Sequence, residues 1–255
     1  MEEIKAIRIN NGIKENIKEF VAEEVPFTIN TAKMEFVTLL CSPINLDDLI
    51  RGFLFTSGLI KDVKDIKKIT IDEERWMAEV DLSISIKEKQ MTFKRLYTSG
   101  CGRGVLFYNT LDMLHRTKLK SDFKINSFQI NKFIQEFRKK SEVFLKTGCV
   151  HAAAIADLKE ILIFREDIGR HNAVDKVIGS VLANNISFKD KVLLSTGRIS
   201  SEIIFKVQKC KIPVIVSKSA PTNQAVKLAK DLNITLVGFA RGNRINIYSN
   251  EERII

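Results

Sequence analysis

The sequence predicts an α/β protein, α+β overall, with a mainly parallel sheet in its C-terminal half. Strand-like and helix-like segments alternate over residues 191–239, a pattern typical of parallel strands joined by right-handed crossovers. Short β-like runs with one amphipathic helix fill much of the N-terminal part. With 255 residues, of which 45% are hydrophobic, the chain can bury a full core. We therefore expect two domains, a smaller α+β domain over residues 1–120 and a second domain over residues 121–255.

The N-terminal domain is expected to combine β-like runs with two helices. Asn45 is a candidate N-cap for a helix that starts at about Leu46, where apolar residues recur at helical spacing. Another helix is expected from about Val105. The β-like runs cover residues 16–30, 35–41, 66–72 and 76–84.

The C-terminal domain is expected to open with a basic amphipathic helix from Ile130 to Leu145 that joins the two halves. Its apolar side consists of Phe133, Ile134, Phe137 and Phe144. In the next helix, Asn172 is the expected cap, with Asp175 three residues later. The buried stripe of that helix is Val174, Val177, Ile178 and Val181. Strands at 191–196, 213–217 and 234–239 then alternate with helices at 200–209 and 222–232.

The composition argues against a secreted or membrane protein. Acidic residues follow Met1 at once, without an apolar signal segment, and no unbroken apolar run is long enough to span a bilayer. We therefore expect a cytoplasmic protein. The cysteines form no C-x-x-C pair, so neither a disulfide framework nor a zinc cluster is predicted, and no metal ligands are assigned. They are Cys41, Cys101, Cys149 and Cys210.

The charge balance favours a polyanionic partner. The chain has 41 Lys and Arg residues against 31 Asp and Glu residues, a net charge of +10. A Lys-rich surface that only keeps the protein soluble is the alternative. Nucleic acid is disfavoured as the partner, because the basic residues are spread out and only 3 Tyr and 1 Trp could stack on bases.

Polar loops follow the three strands of the alternating region. In an open α/β sheet, ligands bind outside the carboxyl ends of the strands, so these loops are expected to share one edge. Their cations suit the oxygens of a phosphorylated ligand, although each could instead be a solvated loop charge. These cations are Arg198, Lys218, Arg241 and Arg244.

Two histidine-containing motifs precede these loops. Arg170 and His171 follow Gly169, and they could contact a ligand or tie the loop to its own acidic residues. The stretch "TGCVHAAA" resembles part of a zinc deaminase motif, but the glutamate of H-x-E is missing after His151. Deaminase chemistry is therefore not supported, His151 is expected to pack or to contact a ligand, and Cys149 is expected to be a small buried residue.

The stretch "YTSGCGRG" places Cys101 between glycines, which leave the thiol little side-chain cover. A helix that begins near Val105 and the neighbouring Arg103 would both favour the thiolate. Without a neighbouring cysteine, Cys101 could carry a single sulfur as a persulfide. An inert cysteine in a turn is the alternative.

Ordered motifs along nearly the whole chain resemble the formate dehydrogenase accessory sulfurtransferase family, FdhD. They are "EVPFTIN", "CSPINLDDLIRGFLFTSGLI", "TSGCG", "TGCVHAAA", "REDIGRHNAVDK", "STGRISSE", "SAPTNQAVKLA" and "LVGFARGNRINIY". The resemblance implies a cytidine-deaminase-like C-terminal domain without deaminase activity. It also implies transfer of sulfur from a cysteine desulfurase to the molybdenum or tungsten bis-molybdopterin guanine dinucleotide cofactor of formate dehydrogenase.

The resemblance also assigns site residues. Cys101 matches the cysteine that carries the persulfide, and the segment "FARGNR" matches the cofactor-binding segment, with guanine nucleotides as mimics of the cofactor. That segment is Phe239, Ala240, Arg241, Gly242, Asn243 and Arg244. Our own extension of the cofactor site is Arg198, Lys218, Arg170 and His171.

One position departs from the family pattern, and one alternative function stays open. Family members commonly have C-x-x-C in the cysteine loop, where this chain has Gly104. Either Cys101 acts alone or Cys149 takes the role of its partner. The expected partners are a cysteine desulfurase, formate dehydrogenase and a second copy of the chain. The alternative is a non-catalytic chaperone that holds the cofactor for formate dehydrogenase.

Overall fold

The computed structural model describes residues 1–31, 34–84, 94–97, 105–108 and 117–255. The strands in it are β1 (Glu2–Asn10), β2 (Ile13–Val21), β3 (Val25–Thr31), β4 (Met34–Cys41), β5 (Ile66–Asp72), β6 (Met77–Leu82), β7 (Lys94–Tyr97), β8 (Val105–Tyr108), β9 (His151–Ala156), β10 (Ile161–Asp167), β11 (Val192–Ser195), β12 (Val214–Ser217), β13 (Thr235–Arg241) and β14 (Arg244–Ser249). The helices are α1 (Leu46–Thr56), α2 (Ser127–Lys140), α3 (Glu142–Thr147), α4 (Arg170–Ala183), α5 (Ser201–Lys209) and α6 (Asn223–Leu232). Cys101, Arg103 and Gly104 lie outside the described residues.

A six-stranded sheet forms the C-terminal part of the molecule, in the order β10-β9-β11-β12-β13-β14. β11, β12 and β13 run parallel at its centre, as the alternation of strands and helices predicts. β9 and β10 on one side and β14 on the other pair antiparallel, which makes the sheet mixed. The predicted α/β class is confirmed, and the carboxyl ends of the three parallel strands share one edge.

Helices cover both faces of this sheet, because its central strands are apolar on both sides. Leu193 and Ile215 pack with the apolar residues of α4, α5 and α6. Their neighbours Leu194 and Val216 pack on the opposite face with side chains of α2 such as Phe133. The predicted stripe of α4 is confirmed as fully buried: Val174, Val177, Ile178 and Val181.

The N-terminal part contains a second sheet, in the order β4-β3-β6-β5, which α1 covers. Phe27 and Ile29 of β3 and Leu49, Ile50 and Leu54 of α1 are fully buried between them. The strands β1 and β2 form a separate two-stranded ribbon, and β7 and β8 form another. This sheet and helix give the N-terminal part a hydrophobic cluster of its own.

Two glycines allow α1 to pack directly on α4. A Cβ atom at Gly52 would lie 1.8 Å from the carbonyl oxygen of Asp175, and one at Gly179 would lie 1.8 Å from that of Asp48. A larger side chain at either position must push the helices apart, since a packed interior has no room to absorb it. The N-terminal part is thereby fixed against the helix that begins beside the sheet edge.

Two buried ion pairs lie close to this helix contact. Lys176 Nζ is 2.6 Å from Asp167 Oδ2, and it also donates to the carbonyl oxygen of Ser42 at 2.9 Å. Lys206 Nζ is 2.6 Å from Asp175 Oδ1. Because Ser42 follows β4 and Asp167 ends β10, the first pair links the N-terminal part to the large sheet.

The predicted helix from about Val105 is wrong. Val105–Tyr108 is the strand β8, which pairs antiparallel with β7. A strand has no large net dipole, so the expected help of a helix N-terminus for the Cys101 thiolate is withdrawn.

Of the two expected helix caps, the position of Asn45 is confirmed and that of Asn172 is wrong. Asn45 stands at the N-cap position of α1, but its φ is 52° and its side chain makes no capping hydrogen bond. Asn172 lies inside α4, whose N-cap is Gly169. The Asn172 amide donates instead to Asp167 Oδ1 at 3.0 Å, which explains its burial.

The predicted helix from Ile130 to Leu145 is divided at Ser141 into α2 and α3. Phe133, Ile134 and Phe137 are buried as predicted, but Phe144 is 43% exposed. Within the described parts of the chain, no helix is both long and apolar enough to cross a membrane. The domain boundary near residue 120 stays a prediction.

Candidate functional site

Polar loops meet at the edge of the large sheet where its parallel strands end. Ser195, at the end of β11, stands opposite Ser217 of β12 and Ala153 of β9. A pocket of about 740 Å³ opens at this edge, and we call it the strand-end pocket. Its lining combines apolar side chains of α2 and α3 with polar ones that include Arg138, Cys149, His151, Thr196, Lys218 and Arg241.

The strand-end pocket is cationic. Arg138, Lys218 and Arg241 line it, and none of the described residues in its lining is acidic. Burial, followed by the charges of Arg138 and Arg241, lowers the pKa of Lys218. An anion bound among these side chains would remove their mutual repulsion, and arginine matches the oxygens of phosphate. The pocket is therefore suited to an anionic, phosphorylated ligand.

The loops around the pocket are held by their own hydrogen bonds. Ser217 Oγ donates to the carbonyl oxygen of Gly197 at 2.6 Å and accepts from the N–H of Ser219 at 3.0 Å. The N–H of Gly197 donates to Ser195 Oγ at 3.1 Å, and the N–H of Lys218 donates to the carbonyl oxygen of Ser195 at 3.1 Å. A ligand would therefore find these loops already ordered, which lowers the entropy cost of binding.

The segment between β13 and β14 is fastened to the same loops. The N–H of Phe239 donates to the carbonyl oxygen of Ser219 at 3.1 Å, and Arg241 Nε donates to that of Lys218 at 2.9 Å. The hairpin turns at Gly242, whose φ of 59° favours glycine. These contacts place the Arg241 guanidinium beside Lys218 at the pocket.

His151 contributes a neutral imidazole to the pocket. Its Nδ1 lies 3.2 Å from Thr196 Oγ1, which also accepts a hydrogen bond from the N–H of Ala152 at 3.0 Å. Burial and the nearby charges of Arg170 and Arg198 lower the pKa of His151. At neutral pH this side chain can therefore donate or accept a hydrogen bond without adding charge.

Arg170 and His171 lie beside the pocket rather than in its lining. His171 Nε2 is 3.1 Å from Glu202 Oε2, but burial and the charges of Lys206 and Arg170 lower the pKa of His171 to about 3. The imidazole is therefore uncharged, since burial outweighs one neighbouring carboxylate. The side chain of Arg170 packs against Gly197, where a Cβ atom would lie 2.7 Å from Arg170 Cβ. His171 thus lies against an acidic residue of α5 and not against one of its own loop, so neither alternative for this side chain is confirmed.

The structure brings five of the predicted residues to two adjacent pockets. Those on the strand-end pocket are Lys218, Arg241 and Gly242. Those on a second pocket of about 770 Å³ are Asn243 and Arg244. We call this second pocket the Phe128 pocket, after a phenylalanine in its lining that is 81% exposed. Gln135 lines both pockets, so they are neighbours.

The other predicted residues have different positions. Arg198 is exposed, and its charge acts on His151. Ala240 is fully buried in the hydrophobic cluster under α2, so its side chain cannot reach a ligand. Phe239 has a φ of 49° and is half-buried. Cys101 lies outside the described residues.

The expectation that Cys149 is buried is wrong. It is exposed on the wall of the strand-end pocket, because it follows Gly148, where α3 ends in a left-handed turn with φ 66°. Cys41 and Cys210 are buried. Burial and the charge of Asp167 raise the pKa of the Cys41 thiol to about 12, and burial also raises the pKa of Cys210. Of the cysteines that the structure describes, Cys149 is therefore the accessible one.

Arg138 lines the pocket but was absent from the predicted site. It lies in the last turn of α2, beside Lys139 and Lys140. In the sequence these three cations indicate only a basic helix end. Their relation to Lys218 depends on how α2 crosses the sheet, which no local pattern encodes.

Comparison with known proteins gives a consistent result over the chain. A family model described as FdhD/NarQ family matches residues 22–255. The sulfur carrier protein FdhD of Bacillus pumilus (strain SAFR-032) is 41% identical over 235 residues, which is 92% of this chain and 90% of that protein. The protein of the same name from Bacillus subtilis (strain 168) is 39% identical over 249 residues, or 97% of this chain and 95% of the relative.

A solved structure extends this similarity to the fold. The crystal structure of a candidate formate dehydrogenase accessory protein from Desulfotalea psychrophila matches with a TM-score of 0.81 and 28% sequence identity. The match covers 100% of this chain and 99% of the other. Both sheets and the strand-end pocket fall within the matched lengths. The resemblance of the sequence motifs is thus confirmed, and the chain belongs to the FdhD/NarQ family.

Proposed function

We propose that this protein is a sulfur carrier that takes sulfur from a cysteine desulfurase and delivers it to the molybdenum or tungsten bis-molybdopterin guanine dinucleotide cofactor of formate dehydrogenase. Similar proteins named sulfur carrier protein FdhD, and a structural neighbour described as a formate dehydrogenase accessory protein, support this role. The observation that carries the proposal is the strand-end pocket, with three cations and no acidic residue in its described lining.

The two pockets suit the parts of such a cofactor. Its diphosphates need cations at fixed positions, which Lys218 and Arg241 supply from ordered loops. Its guanines need flat and amide-lined surfaces, and the Phe128 pocket offers an exposed ring together with Asn131 and Asn243. The cofactor would be bound as a substrate, to be released to the dehydrogenase.

Sulfur would enter at Cys101. The Cys101 thiolate would attack the terminal sulfur of the desulfurase persulfide, forming a new S–S bond. The bond in the donor would break, and its electron pair would leave with the desulfurase thiolate. The S–S bond at Cys101 would then break, its electron pair would leave on the Cys101 thiolate, and the terminal sulfur would pass to the metal of the bound cofactor. The metal, in its reduced state, would supply the two electrons that convert this sulfur to sulfide, and in this sense the protein would act as a sulfurtransferase.

Calorimetry with guanosine diphosphate tests the cofactor site. Arg241→Ala should weaken binding by about ten- to a hundredfold, the range expected for a lost charge-assisted hydrogen bond. Lys227→Ala is the matched control, because Lys227 is exposed on α6 and outside both pocket linings. Equal affinities for wild type and Arg241→Ala would remove Arg241 from the site.

Complementation separates a sulfur carrier from a cofactor chaperone, because the strand-end pocket alone would serve a chaperone. Cys101→Ala should bind guanosine diphosphate normally but should not restore active formate dehydrogenase to cells that lack the native protein. Full restoration by Cys101→Ala would favour the chaperone.

We also propose that the protein is a cytoplasmic homodimer. Exposed apolar side chains on the β1–β2 ribbon support a self-association surface, and they include Ile7, Ile9 and Ile13. Light scattering should give twice the mass of the 29.0 kDa chain. A monomer at micromolar concentration would contradict the dimer without affecting the sulfur carrier role.

A further inference from the structure

One side of α2 is exposed and borders both pockets. Residues three and four apart lie on the same side of a helix, and on α2 this spacing gives an exposed row: Phe128, Lys132, Gln135 and Lys139. The opposite side of α2 is buried against the large sheet. The first three residues of the row line the Phe128 pocket, and Gln135 also lines the strand-end pocket. The two pockets therefore open along a single row of exposed side chains.

The exposed surface continues from the end of α2 into α3. Its further members are Lys140, Leu145 and Lys146, all of them exposed. We call the row and these three residues together the α2–α3 face. Large apolar side chains stand near both ends of this face, since Phe128 is 81% exposed and Leu145 is 60% exposed. Single exposed apolar residues are common, but here two of them flank a row of cations that borders two pockets.

The charge of this face is positive. Residues 127–149 contain five Lys or Arg residues and two Glu residues. Lys139 and Lys140 are exposed and form no ion pair with any residue that the structure describes. Cations in the last turn stabilise a helix, but this effect does not account for the exposed rings and side chains beside them. A cationic surface with apolar members is complementary to a protein surface that carries carboxylates around an apolar depression.

A ligand that leaves either pocket passes the α2–α3 face. Gln135 and Arg138 are exposed and belong to the pocket linings at the same time. A protein that takes the ligand over directly must therefore approach α2. Direct transfer keeps the ligand at a high effective concentration between the two proteins, whereas release into solution dilutes it.

We propose that the α2–α3 face is the docking surface for the protein that receives the ligand, and that this partner presents an acidic surface with an apolar centre. The proposal rests on the sulfur carrier function above, which makes the partner the formate dehydrogenase that takes over the cofactor. The lysines steer the acidic partner during encounter, and the exposed apolar side chains become buried when the two surfaces meet.

Binding of purified, cofactor-free formate dehydrogenase, measured by surface plasmon resonance, tests the charges of the face. Lys139→Glu combined with Lys140→Glu should lower the association rate about tenfold at low salt, because both changes replace attraction by repulsion. The difference should nearly vanish at 1 M salt, where charges are screened beyond about 3 Å. Changing the same two residues to Gln avoids acidic residues at the helix end and should lower the rate about threefold.

A matched double variant separates docking from net charge. Lys227→Glu combined with Lys230→Glu changes the net charge by the same amount, and both lysines are exposed on α6. This helix covers the opposite side of the large sheet from α2. The association rate of this control should stay within about twofold of wild type, because steering depends on charges near the contact.

An uncharged variant tests the apolar part of the face. Leu145→Ser should weaken dehydrogenase binding about fivefold, since it removes apolar area that the partner would cover. Its affinity for guanosine diphosphate should equal that of wild type, because Leu145 lies outside both pocket linings. Leu158→Ser is the control, since Leu158 is 52% exposed in the turn between β9 and β10 and should leave dehydrogenase binding unchanged.

The outcomes separate the docking surface from the function on which it rests. Unchanged dehydrogenase binding by the α2–α3 variants, or equal losses in the α6 control, would overturn the docking surface and leave the sulfur carrier role intact. Loss of binding to a cysteine desulfurase, or loss of the dimer in light scattering, with unchanged dehydrogenase binding would assign the face to another occupant and overturn the proposal. A wild-type protein that neither binds the dehydrogenase nor restores its activity in cells would overturn the proposed function as well.

Discussion

Replacing Lys176 by methionine should destabilise the protein by about 3 kcal/mol, because it leaves Asp167 as a buried carboxylate without its cation. Both side chains are fully buried, and Lys176 Nζ lies 2.6 Å from Asp167 Oδ2. Loss of one partner of a buried pair costs about 3–5 kcal/mol. The carboxylate keeps hydrogen bonds from the N–H groups of Ser42 (3.1 Å) and Gly169 (2.7 Å) and from the Asn172 amide (3.0 Å). These bonds place the expected loss at the lower end of the range.

Thermal unfolding followed by circular dichroism measures this loss. A change of this size should lower Tm by about 6–12 °C, since each kcal/mol shifts a chain of this length by about 2–4 °C. Lys189→Met, at an exposed position, is the control and should leave the free energy of unfolding within about 0.5 kcal/mol of wild type. Adding Asp167→Asn to Lys176→Met should recover part of the loss, because it removes the uncompensated charge. A decrease in Tm below about 2 °C would refute the assignment of Lys176 as the required counter-ion.

Two further predictions concern acid and helix packing. Burial lowers the pKa of His171 from 6.5 to about 3, so between these pH values the folded state binds fewer protons than the unfolded chain. The free energy of unfolding should therefore fall as the pH is lowered from 6.5 to about 3. His171→Gln should flatten that dependence by up to about 1.4 kcal/mol per pH unit in urea titrations, and an unchanged slope would contradict a buried neutral histidine. Gly179→Ala should destabilise the protein by about 1–3 kcal/mol, because its Cβ would lie 1.8 Å from the carbonyl oxygen of Asp48. If the variant has the stability of wild type in urea, α1 and α4 can move apart without cost, and this reasoning is wrong.

The parallel strands were predictable because both of their faces are buried, which gives short apolar runs between polar loops. The helix cap predicted at Asn172 is wrong, because the pattern Asn172-x-x-Asp175 also occurs where both side chains have distant partners. The Asp175 carboxylate binds Lys206, 31 residues further along the chain, and the Asn172 amide binds Asp167. A local sequence pattern does not show whether a side chain has such a distant partner, because a buried ion pair forms only when separate elements pack together.

The sequence likewise predicted some residues of the candidate site and missed others. The edge that holds Lys218 and Arg241 follows from strand order, since ligands of open α/β sheets bind beyond the carboxyl ends of strands. Arg138 reaches this edge only because α2 crosses the sheet, and Cys149 is exposed only because the chain turns at Gly148. Exposure and convergence of this kind depend on tertiary packing, which no local sequence pattern contains.

Asp167 connects the stability of the molecule to the geometry of its pocket. Its carboxylate is held by Lys176 and by the N–H of Ser42, while the next residue, Ile168, lines the strand-end pocket. Loss of the ion pair should therefore move the pocket wall as well as weaken the fold, and Lys176→Met should bind guanosine diphosphate less tightly even well below its Tm. Arg241→Ala alters an exposed side chain and should lose affinity at unchanged Tm. Wild-type affinity in folded Lys176→Met would show that the buried pair serves stability alone.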